Sequence, residues 1–488
     1  MTQSRSNTGL WLMIALLMLV AASKAVLYDT LDPDCFWHLR VAEQLEHDGI
    51  GPLVDHISYA SIKTPWTPYS WLAELGMKAI WDIGGYRLAV LAQAMLMVSF
   101  VLLIALSALQ LQREENPTAT ILATTFAMYF SLPYLSFRPV TFALVLLALC
   151  TWLLLRDRRL HEQSRAIWLV IPTTVLMTNC HFFSFLVPTW IGCLLIGAMI
   201  EGRGIFRYFI LIVSTTLACL ATPMLPGMLR AMWDYQTSDP MLGAGVIAEF
   251  QPVWSGPLGA LSVALLVGWL ACLYVNQHHL RWGEIFWSLL ALLLLLRLGR
   301  FAPVFAPIAA ATLAARMNIF GASDVINRAP IRLAIICILV AGTIRIALDF
   351  PGSDMPLDAW LNRQGPDTPG YPTAAADFLA SHIPPGRIIN ELSWGGYLAW
   401  RLGDNYPILL DGRTQLYTPH FWRATYAGRG DESRDLLGQT GAAAALLPAQ
   451  RSRFHDALMD LGWKRVYADD RAQVLIPPDP SQSVGSAE

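Results

Sequence analysis

Apolar runs recur along the first 350 residues of this 488-residue chain, and most approach the length that crosses a bilayer. About 20 helical residues span a hydrocarbon core about 30 Å thick. We place the runs near residues 10–28, 87–110, 118–135, 139–155, 165–180, 182–200, 205–223, 257–275, 284–297, 300–315 and 330–349. They predict a mainly α, polytopic membrane protein with about eleven transmembrane helices, the first of them uncleaved.

The composition supports this fold class and excludes others. Charged residues make up 14% of the chain, whereas a soluble domain carries about 25%. No basic patch with interleaved aromatic residues stands outside the apolar runs, so we expect no nucleic-acid partner. The seven cysteines are scattered, most of them inside apolar runs. This excludes a disulfide framework as the organising principle.

The distribution of arginine predicts the orientation. With a cytoplasmic N-terminus, most loop arginines fall in inside loops, as the positive-inside rule requires. The outer connections after the first loop then hold only Arg138, Arg230, Arg297 and Arg300. An odd number of spans places the C-terminal tail outside as well. We therefore expect a multi-pass protein of the bacterial inner (plasma) membrane with a periplasmic C-terminal domain.

Three segments follow from these patterns. Residues 1–350 form the transmembrane domain, with a first extracytoplasmic loop at 29–86, and residues 351–372 form a linker rich in Pro, Gly and Asp. Residues 373–488 alternate short apolar strands with helical stretches such as 452–461, which predicts a small extracytoplasmic α/β domain. The predicted strands are Arg387–Asn390, Pro407–Leu410, Ala443–Leu447, Arg465–Tyr467 and Gln473–Ile476. Within the first loop, 35–47 has a helical pattern, and 70–83 is a second amphipathic stretch that ends at Gly84-Gly85.

Polar residues near membrane depth are costly, so they are functional candidates by default. In this chain they collect on the predicted outer side, which indicates one site built from several outer loops. The candidates are Asp32, Asp34, His38, Arg138, Asn179, His181, Glu249, Arg297 and Arg300.

These residue types suit glycosyl transfer from a polyprenyl-phosphate-linked sugar. Arginine binds phosphate through charge-assisted, bidentate hydrogen bonds, which favours Arg138, Arg297 and Arg300 as donor-phosphate ligands. A carboxylate base must take the proton of an attacking hydroxyl, and Asp34 or Asp32 could serve. His38 lies one helical turn from Asp34. The loop carboxylates, with His181, are also candidate ligands for Mg²⁺ or Mn²⁺.

Each candidate also has a structural explanation. Asp34 could cap a helix that begins at Cys35, and the outer arginines could anchor at the interface. His181 and Glu249 could make ordinary polar contacts. In the tail, Asp411 and Arg413 could form a strand-end turn or bind an acceptor.

A series of motifs runs along nearly the whole chain. The motifs are Asp32-Pro33-Asp34-Cys35-Phe36-Trp37-His38-Leu39, the segment 49–59, Trp66, Trp71-Leu72-Ala73-Glu74, Asn179-Cys180-His181, Arg297-Leu298-Gly299-Arg300-Phe301, Trp394-Gly395-Gly396-Tyr397 and Leu410-Asp411-Gly412-Arg413-Thr414. Together and in this order they resemble those of the GT-C superfamily of membrane glycosyltransferases. Protein O-mannosyltransferases, aminoarabinose transferases and oligosaccharyltransferase catalytic subunits belong to it, and the nearest likeness is to bacterial, mostly uncharacterised members.

The resemblance implies a function and further site residues. The family's first-loop catalytic aspartate maps to Asp34 or Asp32, and its later carboxylate has only Glu249 as a match. Trp394-Gly395-Gly396-Tyr397 is similar to the acceptor motif of the oligosaccharyltransferase tail but lacks its acidic residue. We therefore mark Trp394, Tyr397, Asp411 and Arg413 as acceptor or tail contacts.

The expected activity is that of an inverting hexosyl- or pentosyltransferase. It would use a polyprenyl-phosphate-linked sugar in the membrane lipid and a glycan, lipid or protein acceptor. A transporter or flippase, and a non-catalytic membrane assembly factor with the same fold, remain as alternatives, because fold does not determine function. A transporter is expected to show repeated halves and midplane polar residues, which this sequence does not show.

Overall fold

The computed structural model describes residues 2–27, 31–113, 116–237, 247–275, 280–317, 340, 371–427, 430–450 and 452–478. The predicted span 330–349 and most of the linker 351–372 lie outside the described residues, apart from 340, 371 and 372. In chain order the helices are α1 Thr2–Leu27, α2 Asp34–Asp48, α3 Trp71–Ala108, α4 Pro117–Ser131, α5 Pro139–Arg159, α6 Val170–Thr178, α7 Leu186–Ile200, α8 Phe206–Cys219, α9 Leu225–Thr237, α10 Gly259–Val275, α11 Trp282–Arg297, α12 Ala302–Met317, α13 Thr373–His382, α14 Gly395–Leu402, α15 Pro419–Trp422, α16 Gly430–Gly438 and α17 Arg453–Asp460.

The chain is a membrane protein by the length and apolar character of its helices. Among the described residues, four helical stretches could each cross a bilayer: Thr8–Val26, Trp71–Ala108, Pro139–Arg159 and Phe182–Ile200. Arg165–Thr178, Phe206–Cys219 and Gly259–Tyr274 are apolar but shorter. The mainly helical membrane fold is thus confirmed, while the count of about eleven spans is not. Among the described helices that precede the linker, α9 was not predicted.

The chain divides into two compact units, each of which is described by itself. Met1–Leu27, Leu88–Thr222 and Ala248–Met355 form one, which we call the helical unit. Tyr28–Arg87, Pro223–Ile247 and Pro356–Glu488 form the other, which we call the loop–tail unit. The first loop and the C-terminal tail therefore belong to the same compact body.

Helix α12 lies at the centre of the helical unit, where it packs against α4, α5, α10 and α11. Nearly all its side chains are buried, as expected of a helix that is apolar all round. Its run Ala309-Ala310-Ala311 is fully buried, and small residues of this kind allow neighbouring helices to approach closely.

Ion pairs join helix ends at the side of the helical unit that the arginine pattern assigns to the cytoplasm. Arg207 on α8 contacts Asp157 on α5 at 2.8 Å. Arg158, next along α5, contacts the buried Glu284 on α11 at 2.6 Å. These contacts bring together the ends that the positive-inside analysis places on one face.

The tail contains a four-stranded sheet, as the alternating pattern predicts. Its strands are β1 Ile388–Asn390, β2 Ala444–Pro448, β3 Lys464–Ala468 and β4 Ala472–Ile476, in the spatial order β1-β2-β4-β3. β1 and β2 are parallel, and the other pairs are antiparallel. The central strands β2 and β4 are buried, while the edge strand β3 is mostly exposed.

A further predicted strand, Pro407–Leu410, forms only isolated bridges. Ile408 forms one bridge with Ile388 of β1 and another with Ser58 of the first loop. The Tyr59 N–H also donates to the Ile408 carbonyl at 3.1 Å. Backbone hydrogen bonds thus extend from the tail into the first loop.

Two helical predictions for the first loop are confirmed with small shifts. The stretch 35–47 corresponds to α2. The stretch 70–83 begins α3, and Gly85 interrupts that helix with φ 57° and ψ −147°. Glycine adopts this left-handed region without the steric penalty of a side chain. The sequence signal at Gly84-Gly85 was therefore a genuine break.

Candidate functional site

The Asp32-Pro33-Asp34 segment forms the start of α2. The Asp32 carboxylate accepts a hydrogen bond from the Asp34 N–H at 3.0 Å, and the Asp32 carbonyl accepts one from Cys35 at 2.9 Å. This is the local turn that aspartate favours two residues before a backbone donor. Asp34 is the first residue of α2, one residue before the Cys35 start expected from the sequence. The Asp34 N–H is held by the Asp32 carboxylate, and a capping role for the Asp34 side chain stays a prediction.

Asp34 is half-buried at the positive end of the helix dipole, where a carboxylate is stabilised. Two glycines of the tail lie close to the first turn of α2, which carries Asp34. A Cβ built on Gly412 would lie 2.1 Å from Asp34 Oδ1 and 3.0 Å from Trp37 Nε1. A Cβ on Gly396 would lie 2.7 Å from the Pro33 carbonyl oxygen. The tail motifs therefore pack directly on the Asp34 turn.

Asp411 and Arg413 flank Gly412 and form a buried ion-pair network with the first loop. The Arg413 Nη2 donates to Asp411 Oδ2 at 2.6 Å and its Nη1 to Asp55 Oδ1 at 2.7 Å, and the side chains of all three residues are fully buried. Burial alone would raise the pKa of Asp55, but the Arg413 guanidinium and several hydrogen bonds outweigh it and lower that pKa. The network keeps its charges because each is paired.

His38 pairs with a carboxylate that was not among the predicted site residues. Its Nδ1 lies 2.9 Å from Glu74 Oε1, and both residues are buried. Glu74 Oε2 has no hydrogen-bond partner among the described residues. The signal was present in the sequence, because Glu74 is an acidic residue at the start of an apolar helix. A paired carboxylate sets the orientation and tautomer of an imidazole.

The predicted acceptor residues of the tail make internal contacts. Trp394 and Tyr397 are buried. Tyr397 stacks on Tyr371 with ring centroids 4.5 Å apart and meets the Phe36 edge at 5.4 Å. The structure thus gives Trp394-Gly395-Gly396-Tyr397 a packing role beside α2, and its role in acceptor contact stays a prediction.

Four of the predicted outer residues lie together in the helical unit. Arg138, just before α5, contacts Glu249 at 3.2 Å. Arg300 lies over the Phe250 ring with its Cζ 5.4 Å from the centroid. Burial lowers the pKa of His181, and the positive charges of Arg300 and Arg138 lower it further. His181 is therefore neutral near pH 7, and two arginines lie close enough to disfavour its charged form.

Asn179 and Arg297 are the other predicted residues of this unit. The Asn179 side chain donates to the carbonyl oxygens of Val175 and Ala221, at 2.9 and 3.0 Å, and so joins the ends of two helices. Arg297 is the exposed last residue of α11. The His181 Nδ1 accepts from the Phe183 N–H at 3.2 Å, which leaves the proton of the neutral ring on Nε2.

No group of three or more His, Cys, Asp and Glu side chains is arranged to hold a metal ion within the part of the chain that the structure describes. The participation of Mg²⁺ or Mn²⁺ stays a prediction.

No protein-family model matches the chain, and no curated protein does so either. Several solved structures do match the chain. The apo oligosaccharyltransferase of Archaeoglobus fulgidus is 11% identical, with TM-score 0.53, over 90% of this chain and 69% of that chain. The same enzyme tethered to an acceptor peptide gives TM-score 0.54 at 11% identity, over 89% of this chain and 69% of that chain. Apo ArnT of Cupriavidus metallidurans is 14% identical, with TM-score 0.54, over 96% of this chain and 98% of that chain.

These likenesses establish the fold. The chain shares the fold of the Archaeoglobus fulgidus oligosaccharyltransferase and of ArnT from Cupriavidus metallidurans, as the resemblance of its motifs predicted. At such low identity the comparison shows the architecture alone, and the activity has to be argued from this chain's own residues.

Proposed function

We propose that this protein is an inverting glycosyltransferase that moves a sugar from a polyprenyl-phosphate-linked donor to an acceptor at the extracytoplasmic membrane face. The observation that carries the proposal is the half-buried Asp34 carboxylate, fixed at the first turn of α2 in a chain with the GT-C fold. ArnT of Cupriavidus metallidurans has been solved with undecaprenyl phosphate, which supports a donor of this class.

The proposed step is a single displacement. An acceptor hydroxyl oxygen forms a bond to the anomeric carbon while the bond from that carbon to the phosphate oxygen breaks. The bonding electron pair leaves with the lipid phosphate, and Asp34 takes the hydroxyl proton. Attack opposite the leaving group inverts the anomeric configuration, and a carboxylate base suits that geometry.

Positive charge stabilises the leaving phosphate in this proposal. Arg138 and Arg300 are assigned that role because the positive charge of each lowers the pKa of His181. Both guanidinium groups are therefore close to that side chain in the helical unit. Arginine suits phosphate through its planar, permanently charged guanidinium. Arg297 is retained as a further candidate ligand, Asp32 as the residue that accepts the Asp34 N–H, and Glu249 as the carboxylate that pairs with Arg138 when no phosphate is bound.

The test uses the full-length protein in liposomes with radiolabelled undecaprenyl-phosphate hexoses and pentoses. A membrane extract containing lipids, glycans and proteins supplies acceptors. Label transfer and the release of undecaprenyl phosphate are measured together. We expect release that depends on acceptor and is lost about 100-fold or more in Asp34→Asn, as for removal of a general base.

Asp48→Asn is the matched control, since Asp48 is an exposed aspartate at the other end of the same helix. It should transfer at the wild-type rate. Wild-type activity in Asp34→Asn would overturn the assignment of the base. Absence of transfer from every donor by the folded wild type would favour the non-catalytic assembly factor instead.

A further inference from the structure

Gly412 lies against the carboxylate that the proposed function uses. The space that a Cβ would take at this position is already occupied, because Asp34 Oδ1 would be 2.1 Å away and Asp34 Cγ 2.9 Å away. Contacts below 3.0 Å do not occur between real Cβ atoms and their neighbours. Only glycine therefore permits Asp34 to keep its observed side-chain conformation.

Buried ion pairs and a hydrogen bond hold the turn that carries Gly412. Arg413 is paired with Asp411 inside the turn and with Asp55 of the first loop. The Asp411 N–H donates to the Tyr417 hydroxyl at 3.0 Å. All these residues are buried. Breaking any of these contacts would cost a buried polar group one of its hydrogen bonds. The turn backbone is therefore held in one conformation.

The backbone of the Asp34 turn is fixed as well. Gly396 lies against it so closely that an added Cβ would be 2.7 Å from the Pro33 oxygen and 3.1 Å from the Trp37 nitrogen. These neighbours are backbone atoms, which cannot rotate away. The atoms nearest Gly412 belong to the side chains of Asp34 and Trp37. The Asp34 carboxylate is the nearer of the two, and it can move by rotation about its χ angles.

We infer that Gly412 is a positioning residue for Asp34: the bare Cα of the Asp411–Arg413 turn sets the rotamer of the Asp34 carboxylate. The catalytic part of this inference rests on the proposed function, whereas the contact itself does not. The C-terminal tail thereby acts on the reaction through Asp34, in addition to any contact that it makes with an acceptor.

The contact can be tested without any activity. In an Asp34→Cys/Gly412→Cys variant of the full-length chain, the two sulfurs should reach bonding geometry. Mild oxidation should give a disulfide that mass spectrometry assigns to residues 34 and 412. The Asp48→Cys/Gly412→Cys variant, with its first cysteine at the far end of α2, should give none. Equal, low cross-linking in both variants would overturn the inference.

The consequence for catalysis is tested with Gly412→Ala in the liposome assay. A displacement of a catalytic group by about 1 Å lowers the rate by about 100-fold, so we expect kcat to fall about 10- to 100-fold. The KM for the undecaprenyl-phosphate sugar and the midpoint of thermal unfolding should change little. Gly51→Ala is the control, because a Cβ at Gly51 meets nothing within 4 Å. Wild-type kcat in folded Gly412→Ala would overturn the inference.

Gly412→Ala could fail to fold, and a second variant covers that outcome. If the carboxylate causes the clash, Asp34→Ala/Gly412→Ala should recover the unfolding midpoint of Asp34→Ala alone. If the double variant also fails to fold, the inference is wrong. Failure of the proposed function would show differently, as an inactive wild type that still forms the 34–412 disulfide in its double-cysteine variant.

Discussion

The Arg413 guanidinium of the C-terminal tail donates a 2.7 Å hydrogen bond to the Asp55 carboxylate of the first loop, with both side chains fully buried. The two residues are 358 positions apart in the chain. Ionic groups withdrawn from water in this way are retained only when each finds a partner. The pair therefore ties the first loop to the tail within one compact unit, next to the turn that contacts Asp34.

Replacing Arg413 with leucine should strongly destabilise the loop–tail unit. The substitution leaves Asp55 and Asp411 buried without their cation, and removing one partner of a buried pair costs about 3–5 kcal/mol. Thermal unfolding in detergent, followed by tryptophan fluorescence, measures the effect. Arg401→Leu is the control, because Arg401 pairs with the exposed Asp377 and surface pairs contribute little. Equal midpoints for the two variants would contradict the prediction.

The same network predicts a dependence of stability on acid pH. The pKa of Asp55 is lower in the folded protein than its ordinary value, which is about 3.9 in an unfolded chain. The resulting stabilisation is complete above the unfolded pKa and is lost as the pH falls through the lower folded pKa.

Asp55→Asn should therefore lower the unfolding midpoint near pH 7, and its difference from the wild type should shrink as the pH drops below about 4. Thermal unfolding of both proteins across pH 3 to 7 gives the comparison. A difference that is the same at every pH would show that the charge on Asp55 is not what stabilises the fold.

The His38–Glu74 pair should respond to the kind of substitution at Glu74. Glu74→Leu removes the acceptor 2.9 Å from His38 Nδ1, and a buried donor that loses its partner costs about 1–3 kcal/mol. Glu74→Gln keeps an acceptor and should cost less. The unfolding midpoints of the two variants decide this. A glutamine variant as unstable as the leucine variant would mean that packing or charge dominates instead.

Much of the fold could be predicted because its signals are local. Apolar length marked the helices, and alternation marked the tail strands to within one or two residues. The number of spans was less accessible: helices such as α6 and α8 are apolar but too short, taken alone, for a full crossing. A count of spans from hydropathy depends on the length of each apolar helix. A 3₁₀ turn such as Arg165–Leu169 takes up part of an apolar run and shortens the α-helix that follows it.

The candidate site was predictable in composition but not in its contacts. The Asp32-Pro33-Asp34 turn and the outer arginines are visible in the sequence. The approach of Gly412 to Asp34 and the pairing of Asp55 with Arg413 join residues more than 300 positions apart, and no periodicity reports such contacts. Glu74 belongs to one of the sequence motifs, but its pairing with His38 was not predicted, because the two residues lie on different helices.

Arg138 provides a test of phosphate recognition that is separate from catalysis. Because charge-assisted hydrogen bonds contribute about 1.5–3 kcal/mol, Arg138→Ala should weaken binding of undecaprenyl phosphate about 10- to 100-fold. Glu249→Gln should tighten binding, because Glu249 competes for the same guanidinium at 3.2 Å. Binding of labelled undecaprenyl phosphate in nanodiscs, at low and high salt, measures both effects.

Arg230→Ala is the matched control for this experiment. Arg230 also falls in a predicted outer connection, but its side chain is 85% exposed, and it lies 3.9 Å from Asp234. Its removal should leave binding unchanged. If Arg138→Ala and Arg230→Ala weakened binding equally, and high salt abolished both effects, the attraction would be a general surface charge effect screened within a Debye length. A specific phosphate site requires that only Arg138→Ala weakens binding and that the loss persists at high salt.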